Sequence, residues 1–451
     1  MKQKTINLTE GSILKNLFIF SLPILAGQLF QTLYHSVDSI VVGNFVGTNA
    51  LAAVTASGTI AMFITGFFNG MSTGASVVFA RYFGARSYRE LDTAIHTTML
   101  FSIILGVLLA GLGAIFTPGL LKLVTCPDDV FDEAKVYLMI YMLGILFMSI
   151  YNIEAGVLRA IGDSSNPFRF LVVSSVLNIV LDLLFVIVFN MGVAGVAIAT
   201  VIAQFVSVVL GFWQLKKLPE EYRFNTSKLK IDRHILGEVI RLGLPAGIQA
   251  SITSLSSMYI QRYINSFSPA AIAGIGSGMK IDQFAGMPCQ SFGLAITTYI
   301  GQNIGAGKYD RTHKGVGVSV LVVAAEIIVL SIPIYFFAPQ LVRVFGADPE
   351  MIEYGAGFLK VIMPLYLIMG ASMLFGGVVR GYGYSMYSML ATIFGFVVVR
   401  QIWLAITLNI AHEINYIYYC YPIGWAASAL SLVLFYLFVI RKKFTAAPAD
   451  K

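Results

Sequence analysis

Charge is scarce in this sequence. Asp, Glu, Lys and Arg make up 12% of its 451 residues, against ~25% in ordinary soluble domains. A chain so poor in charge lacks the polar outer faces that a soluble two-domain enzyme needs. Cysteine is nearly missing. Cys126, Cys289 and Cys420 are scattered, show no metal-ligand spacing, and read as small apolar packing residues. There is no Walker-type glycine loop, no serine elbow and no His/Cys ligand pattern. These absences argue against an enzyme and against a pump that hydrolyses its own nucleotide.

Apolar length is what the chain has. Hydrophobic residues make up 57% of it, and stretches such as 97–116 and 414–440 carry no charge over a membrane-scale distance. Twelve spans are predicted, at 16–43, 50–79, 92–117, 134–158, 167–189 and 194–215, then 236–262, 271–301, 315–337, 353–379, 386–410 and 418–440. With this count, Arg81, Arg86, Arg89, Arg159, Lys308, Arg311, Lys314, Arg380 and Arg441–Lys443 all fall on one side. Positive loops stay in the cytoplasm, so both termini are expected there. The net charge of +7 is thus a topology signal, and no nucleic-acid partner is expected. Met1–Gly11 is polar and does not read as a cleaved signal. Residues 8–12 read as a cap before a short surface helix.

The chain also repeats itself. Gly84-Ala85-Arg86-Ser87-Tyr88-Arg89 returns as Gly305-Ala306-Gly307-Lys308-Tyr309-Asp310, and Gly156-Val157-Leu158-Arg159 as Gly377-Val378-Val379-Arg380, both 221 positions later. The expected fold is an all-α polytopic membrane protein with twelve transmembrane helices in two pseudo-symmetric six-helix lobes. Residues 1–217 form the first lobe, 218–233 a cytoplasmic linker and 234–451 the second lobe. Leu22-Pro23 and Leu244-Pro245 place a proline inside the first helix of each lobe, as a fixed kink or a hinge.

Ionisable groups inside a bilayer are costly and so are functional candidates. Gln28, Gln31, His35 and Asp38 share one face of the first span by three- and four-residue steps. The first three are candidates to line a substrate cavity, with His35 a packing residue or a proton relay. Asp182 follows Asn178 by one turn, Thr200 lies in the sixth span, and Glu154 in the fourth. No base stands at equal depth in this half, so its acids form a cation site. Burial and like charge favour uptake of a proton, and the oxygens of Asn178 and Thr200 also suit a metal cation. In the second half Lys280, Asp282, Glu326 and Arg400 balance, and ion pairing is the simplest account. Asp282 is a further cavity candidate. With no nucleotide motif, an ion gradient is the expected energy source.

Several segments resemble the multidrug and toxic compound extrusion (MATE) family, chiefly its DNA-damage-inducible branch. They are Leu8-Thr9-Glu10-Gly11-Ser12-Ile13, Leu22-Pro23, Val37-Asp38-Ser39-Ile40-Val41-Val42-Gly43, Leu158-Arg159-Ala160-Ile161-Gly162-Asp163, Asn178-Ile179-Val180-Leu181-Asp182 and Gly301-Gln302-Asn303-Ile304-Gly305-Ala306-Gly307. The resemblance implies two six-helix lobes forming an open V, in the cell membrane. It implies antiport of organic cations against H+ or Na+, with no other cofactor. Asp38, Asn178, Asp182 and Thr200 match the family's amino-lobe cation site, where Na+ would bind, and Glu154 takes a position that is an amide in some relatives and an acid in others. A monomer suffices for such a cycle. The rival reading, a lipid-linked oligosaccharide flippase of the same superfamily, would favour Arg and Lys in its cavity.

Overall fold

The structure, a computed structural model, describes residues 5–445, with the side chains of His35 and Thr445 excepted. Its regular elements are helices, with no strand among the described residues. Twelve have spanning length: α1 Ile13–Val46, α2 Thr48–Gly84, α3 Tyr88–Leu123, α4 Asp128–Ala160, α5 Ser165–Val188, α6 Gly192–Leu215, α7 Arg233–Ile264, α8 Pro269–Gly305, α9 Tyr309–Phe336, α10 Pro349–Gly381, α11 Ser385–Ile410 and α12 Ile414–Phe444. Eleven are also apolar enough to cross a membrane. The other, α8, is diluted by its glycines and by Lys280, Asp282, Gln283 and Gln290, but its 37 residues reach about 55 Å at about 1.5 Å per residue. The predicted spans are all present, and most run a few residues longer at each end. Outward faces are apolar: Val107, Leu108, Leu112, Ile115 and Phe116 of α3 and Leu321, Ile328, Val329, Ile332 and Phe336 of α9 are exposed. Apolar faces this large call for lipid as the solvent.

Four of these helices contain a π-helical turn: Val42–Val46 in α1, Leu184–Val188 in α5, Phe394–Val399 in α11 and Tyr436–Ile440 in α12. Such turns re-aim the residues beside them and recur at functional sites. Pro23 and Pro245 lie inside helices that continue past them.

Packing divides the chain into two compact units. One holds Leu22–Gly247 with the short stretch ending at Asn7; the other holds Leu8–Ser21 and the chain from Ile248 onward. The chain changes unit at 7/8, 21/22 and 247/248 and not at the expected 217/218 and 233/234, and the last two changes fall beside a helix proline. The reason for the later boundary is visible. A Cβ on Gly70 or Gly74 of α2 would come 2.2 or 2.3 Å from the backbone of Ala246 or of Leu242 and Gly243, and Gly243 and Gly247 of α7 meet Met71 and Phe67 in return. Two glycines four apart on each helix let the backbones touch, which ties the first half of α7 to the first unit.

The expected linker is also part of that unit. Leu218, Tyr222 and Phe224 are buried in its core with Leu91, Ile95 and Val157. Phe224 stacks on His96 at 5.3 Å. The His96 Nε2 accepts from the backbone N–H of Asn225 at 2.9 Å, so Nδ1 carries the proton and donates to the Asp92 carbonyl at 2.7 Å. Thr97 Oγ1 donates to the Lys230 carbonyl at 3.0 Å. In the second unit, the segment before α1 is a turn and not the expected surface helix. Arg311 Nη2 donates to the carbonyls of Glu10 and Gly11 at 2.9 Å each, and Asn303 Nδ2 to that of Leu8 at 3.2 Å.

Gly74→Leu forces a side chain into the backbone of α7. The expected cost is about 3 kcal/mol, the upper end for overpacking, read as a lowered melting temperature of the purified protein. Gly58→Ala, with nothing within 4 Å of the added Cβ, is the control expected to melt like the parent.

Candidate functional site

The first unit brings four of the expected residues into two contacts. Asp38 on α1 and Asp182 on α5 are buried, 8% and 0% exposed, and their carboxyl groups lie within hydrogen-bonding reach of each other. Asn178, one turn before Asp182, points its Nδ2 at Thr200 Oγ1 of α6 at 3.5 Å, and that hydroxyl donates to the Val196 carbonyl at 3.1 Å. Asp38 Oδ1, both oxygens of Asp182 and Asn178 Oδ1 are buried and receive no hydrogen bond from any described donor. Two ionised carboxylates have no proton to share, so neither can satisfy the other. One added proton would bridge them. The exposed lone pairs are all oxygen, which also suits a hard cation such as Na+. The donor set therefore fits a proton or a sodium ion.

Local structure explains the meeting. A π turn follows Asp38 at Val42–Val46 and another follows Asp182 at Leu184–Val188. These turns pack on one another and on α6. A cluster of Val41, Val42, Ala50, Tyr137, Val186, Val193, Val196 and Ala197 closes this end. Residue-by-residue reading of the sequence missed the phenols. Tyr34 and Tyr137 feel the charges of both Asp38 and Asp182. Tyr137 stacks on Tyr141 at 6.2 Å, and Tyr141 shares a hydrogen bond with Thr65 at 3.2 Å. The four-residue steps from Tyr34 to Asp38 and from Tyr137 to Tyr141 are the signals that could have found them.

Glu154 stands apart. It is 0% exposed, and neither of its oxygens has a donor among the described residues. It lies 17 residues beyond Tyr137 on α4, about 25 Å along the helix at about 1.5 Å per residue. Its carboxyl group rests on α6 at Gly211, where a Cβ would come 2.0 Å from Oε2. Gln28 and Gln31 are half-buried on α1, while the side chain of His35 lies outside the described residues.

The expected ion pairs of the second unit do not form. No ion pair joins Lys280, Asp282, Glu326 or Arg400 among the described residues. Lys280 is exposed and sits 5.4 Å from the Phe345 ring. Glu326 Oε2 has no donor. Asp282 Oδ1 accepts from the Tyr366 hydroxyl at 2.8 Å, and Arg400 lies between aromatic rings. Charge balance read along a sequence ignores depth and facing, and these four residues differ in both. Among the described residues no cluster of three or more His, Cys, Asp or Glu side chains could hold a metal ion.

The family model MatE matches residues 23–184 and again residues 245–405. Each half carries one copy, and each copy begins at the helix proline. The probable multidrug resistance protein YpnP of Bacillus subtilis (strain 168) is 29% identical, over 88% of this chain and 89% of its own length. The probable multidrug resistance protein YoeA of the same strain is 29% identical over 96% of each chain. A solved outward-facing structure of a multidrug resistance MATE family transporter of the MOP superfamily superimposes with a TM-score of 0.90 at 23% identity, covering 99% of both chains. That likeness speaks for the fold.

Gly211 and Glu154 are expected to behave as a coupled pair. Gly211→Ala alone lowers the melting temperature, and Glu154→Ala frees the space it needs. In a double-mutant cycle by thermal unfolding, the double variant should be more stable than the sum of the single changes by about 0.5–3 kcal/mol.

Proposed function

The chain belongs to the MatE family of membrane transporters, and on that premise we propose that it is a secondary multidrug exporter of the cell membrane. It expels organic cations in exchange for H+ or Na+, acts as a monomer, and keeps both termini in the cytoplasm. The facing, donor-less carboxyl groups of Asp38 and Asp182 carry this reading. Asn178 and Thr200 supply the neighbouring oxygens.

Binding of the coupling ion removes the repulsion between the two carboxylates and satisfies their lone pairs. An empty pair keeps its charge and attracts a cationic drug. A ligand shifts a conformational equilibrium only by its difference in affinity for the two states. Ion and drug that compete for one negative site, each favouring a different state, exchange across the membrane. Two of the three points where the chain passes between the compact units lie beside a proline, Pro23 or Pro245, which supports these helices as the flexing elements.

Reconstituted vesicles with a fluorescent organic cation test the reading, with pH and sodium gradients imposed separately. For one-for-one exchange each tenfold ion gradient, about 1.4 kcal/mol, sustains about a tenfold drug gradient. Asp38→Asn and Asp182→Asn are expected to show no accumulation above passive leak. Glu154→Gln, remote from the pair, is expected to keep it. Full gradient-driven transport by both aspartate variants would refute the assignment.

A further inference from the structure

The turn between α8 and α9 carries a cluster of cations that the exchange cycle does not use. Lys308, Arg311 and Lys314 line a cavity of about 350 Å³ together with Asp310, Tyr309 and Ile13 of α1. That volume lies in the range of small-molecule sites. All of these residues belong to the second unit. Steps of three residues set the cations on one side of the start of α9. They face a single acid, and no ion pair joins any of these side chains among the described residues.

Part of this charge has a structural task. Lys308 Nζ donates to the Thr9 carbonyl at 2.9 Å, and Arg311 Nη2 to those of Glu10 and Gly11. These bonds fix both side chains in the wall. Arg311 uses Nε and Nη2 for such contacts and leaves Nη1 without an acceptor among the described residues. Lys314 is exposed and has neither a hydrogen bond nor an ion pair there. Ammonium and guanidinium groups donate and cannot accept, so the free donors call for an anion.

The first unit contains the same turn and closes it. Arg86 and Gly307 are 221 positions apart, and both have a positive φ, 56° and 70°. Tyr88 matches Tyr309 in the same way. In the first unit Tyr222 of the connecting segment packs on Tyr88 at 5.3 Å and on Phe83 at 6.2 Å. The three cations have no basic counterparts: Ser87, Glu90 and Thr93 stand at those positions. The second unit thus opens a space at this corner and lines it with positive charge.

The surroundings choose the carrier of the anion. Lys314 heads an exposed stripe on α9, with Gly317, Leu321, Ala325 and Ile328 following at three- and four-residue steps. A Cβ on Gly317 would meet nothing within 4 Å, so the stripe lies open beside the lysine. Ile13 is followed on α1 by Leu14 and Phe18, also exposed. A soluble anion gains nothing from these apolar continuations. A phospholipid sets its phosphate among the cations and its acyl chains along the helices. The topology proposed above puts this end at the cytoplasmic surface, the leaflet side where anionic lipids attract basic residues.

We propose that the cavity between Ile13 and Lys314 binds the phosphate of an anionic phospholipid, and that Lys314 distinguishes an anionic headgroup from a zwitterionic one. Native mass spectrometry of the full-length protein in detergent tests this, with phosphatidylglycerol, phosphatidylcholine and inorganic phosphate as probes. The parent is expected to bind its first phosphatidylglycerol about tenfold tighter than phosphatidylcholine. Lys314→Gln should cut that ratio about fivefold, near the worth of one basic residue at an anionic surface, and Lys314→Arg should keep it. Asp310→Asn removes the acid of the wall and should raise the ratio, which keeps the test decisive if Lys314→Gln does not fold. Lys217→Gln, an equal loss of charge in the first unit, should change nothing. Equal binding of the two lipids by the parent, or equal losses in Lys217→Gln and Lys314→Gln, overturns the site. Displacement of the lipid by millimolar inorganic phosphate overturns the choice of a lipid. No outcome here depends on transport, so failure leaves the exporter reading standing.

Discussion

Two carboxyl groups facing each other across buried helices, with three of their four oxygens buried and without a donor among the described residues, form the constraint on which the functional account depends. Asp38 and Asp182 arrive on different helices, each just before a π turn. A bundle that merely needed helix contacts would fill this place with apolar residues at less cost, because unpaired buried charge destabilises. The arrangement becomes favourable only when a positive guest is present. That dependence on a guest is what a transporter requires of a coupling site.

The fold was largely legible. Twelve apolar stretches, a 221-residue repeat and one-sided basic loops led to twelve helices in a duplicated plan. The division into two units is legible, but its later boundary lies at Gly247 and not near 217–233, and the cause is in the sequence: Gly70 with Gly74 and Gly243 with Gly247 are spaced for backbone contact. The linker 218–233 reads as polar because Glu220, Glu221, Arg223, Lys228, Lys230, Asp232 and Arg233 dominate it. Leu218, Tyr222 and Phe224 anchor it all the same. At the site, the step from Asn178 to Asp182 and the stripe ending at Asp38 were visible as helical spacing. Depth was not. Nothing in the spacing tells that Tyr34 and Tyr137 lie near the pair. The same blindness to facing turned four balanced charges in the second half into ion pairs that the helices do not make.

Duplication with divergence follows from these details. Both halves share helix order, an early proline and a π turn in the fifth helix of the repeat, after Asp182 in α5 and before Arg400 in α11. They differ in what those shared devices present. The first half offers oxygen lone pairs without protons; the second places an arginine between two aromatic rings. One scaffold thus carries two kinds of chemistry, since the backbone geometry is set by helix packing and the site by a few side chains.

The central claim is that Asp38 and Asp182 share one proton or one sodium ion. Infrared difference spectroscopy of the protein in lipid, during titration of pH and of sodium, reads it directly. The expected result is a single protonated-carboxyl C=O band that sodium removes and that changes in both Asp38→Asn and Asp182→Asn. Carboxylates that stay ionised throughout, or a band indifferent to sodium and to both substitutions, would contradict the account.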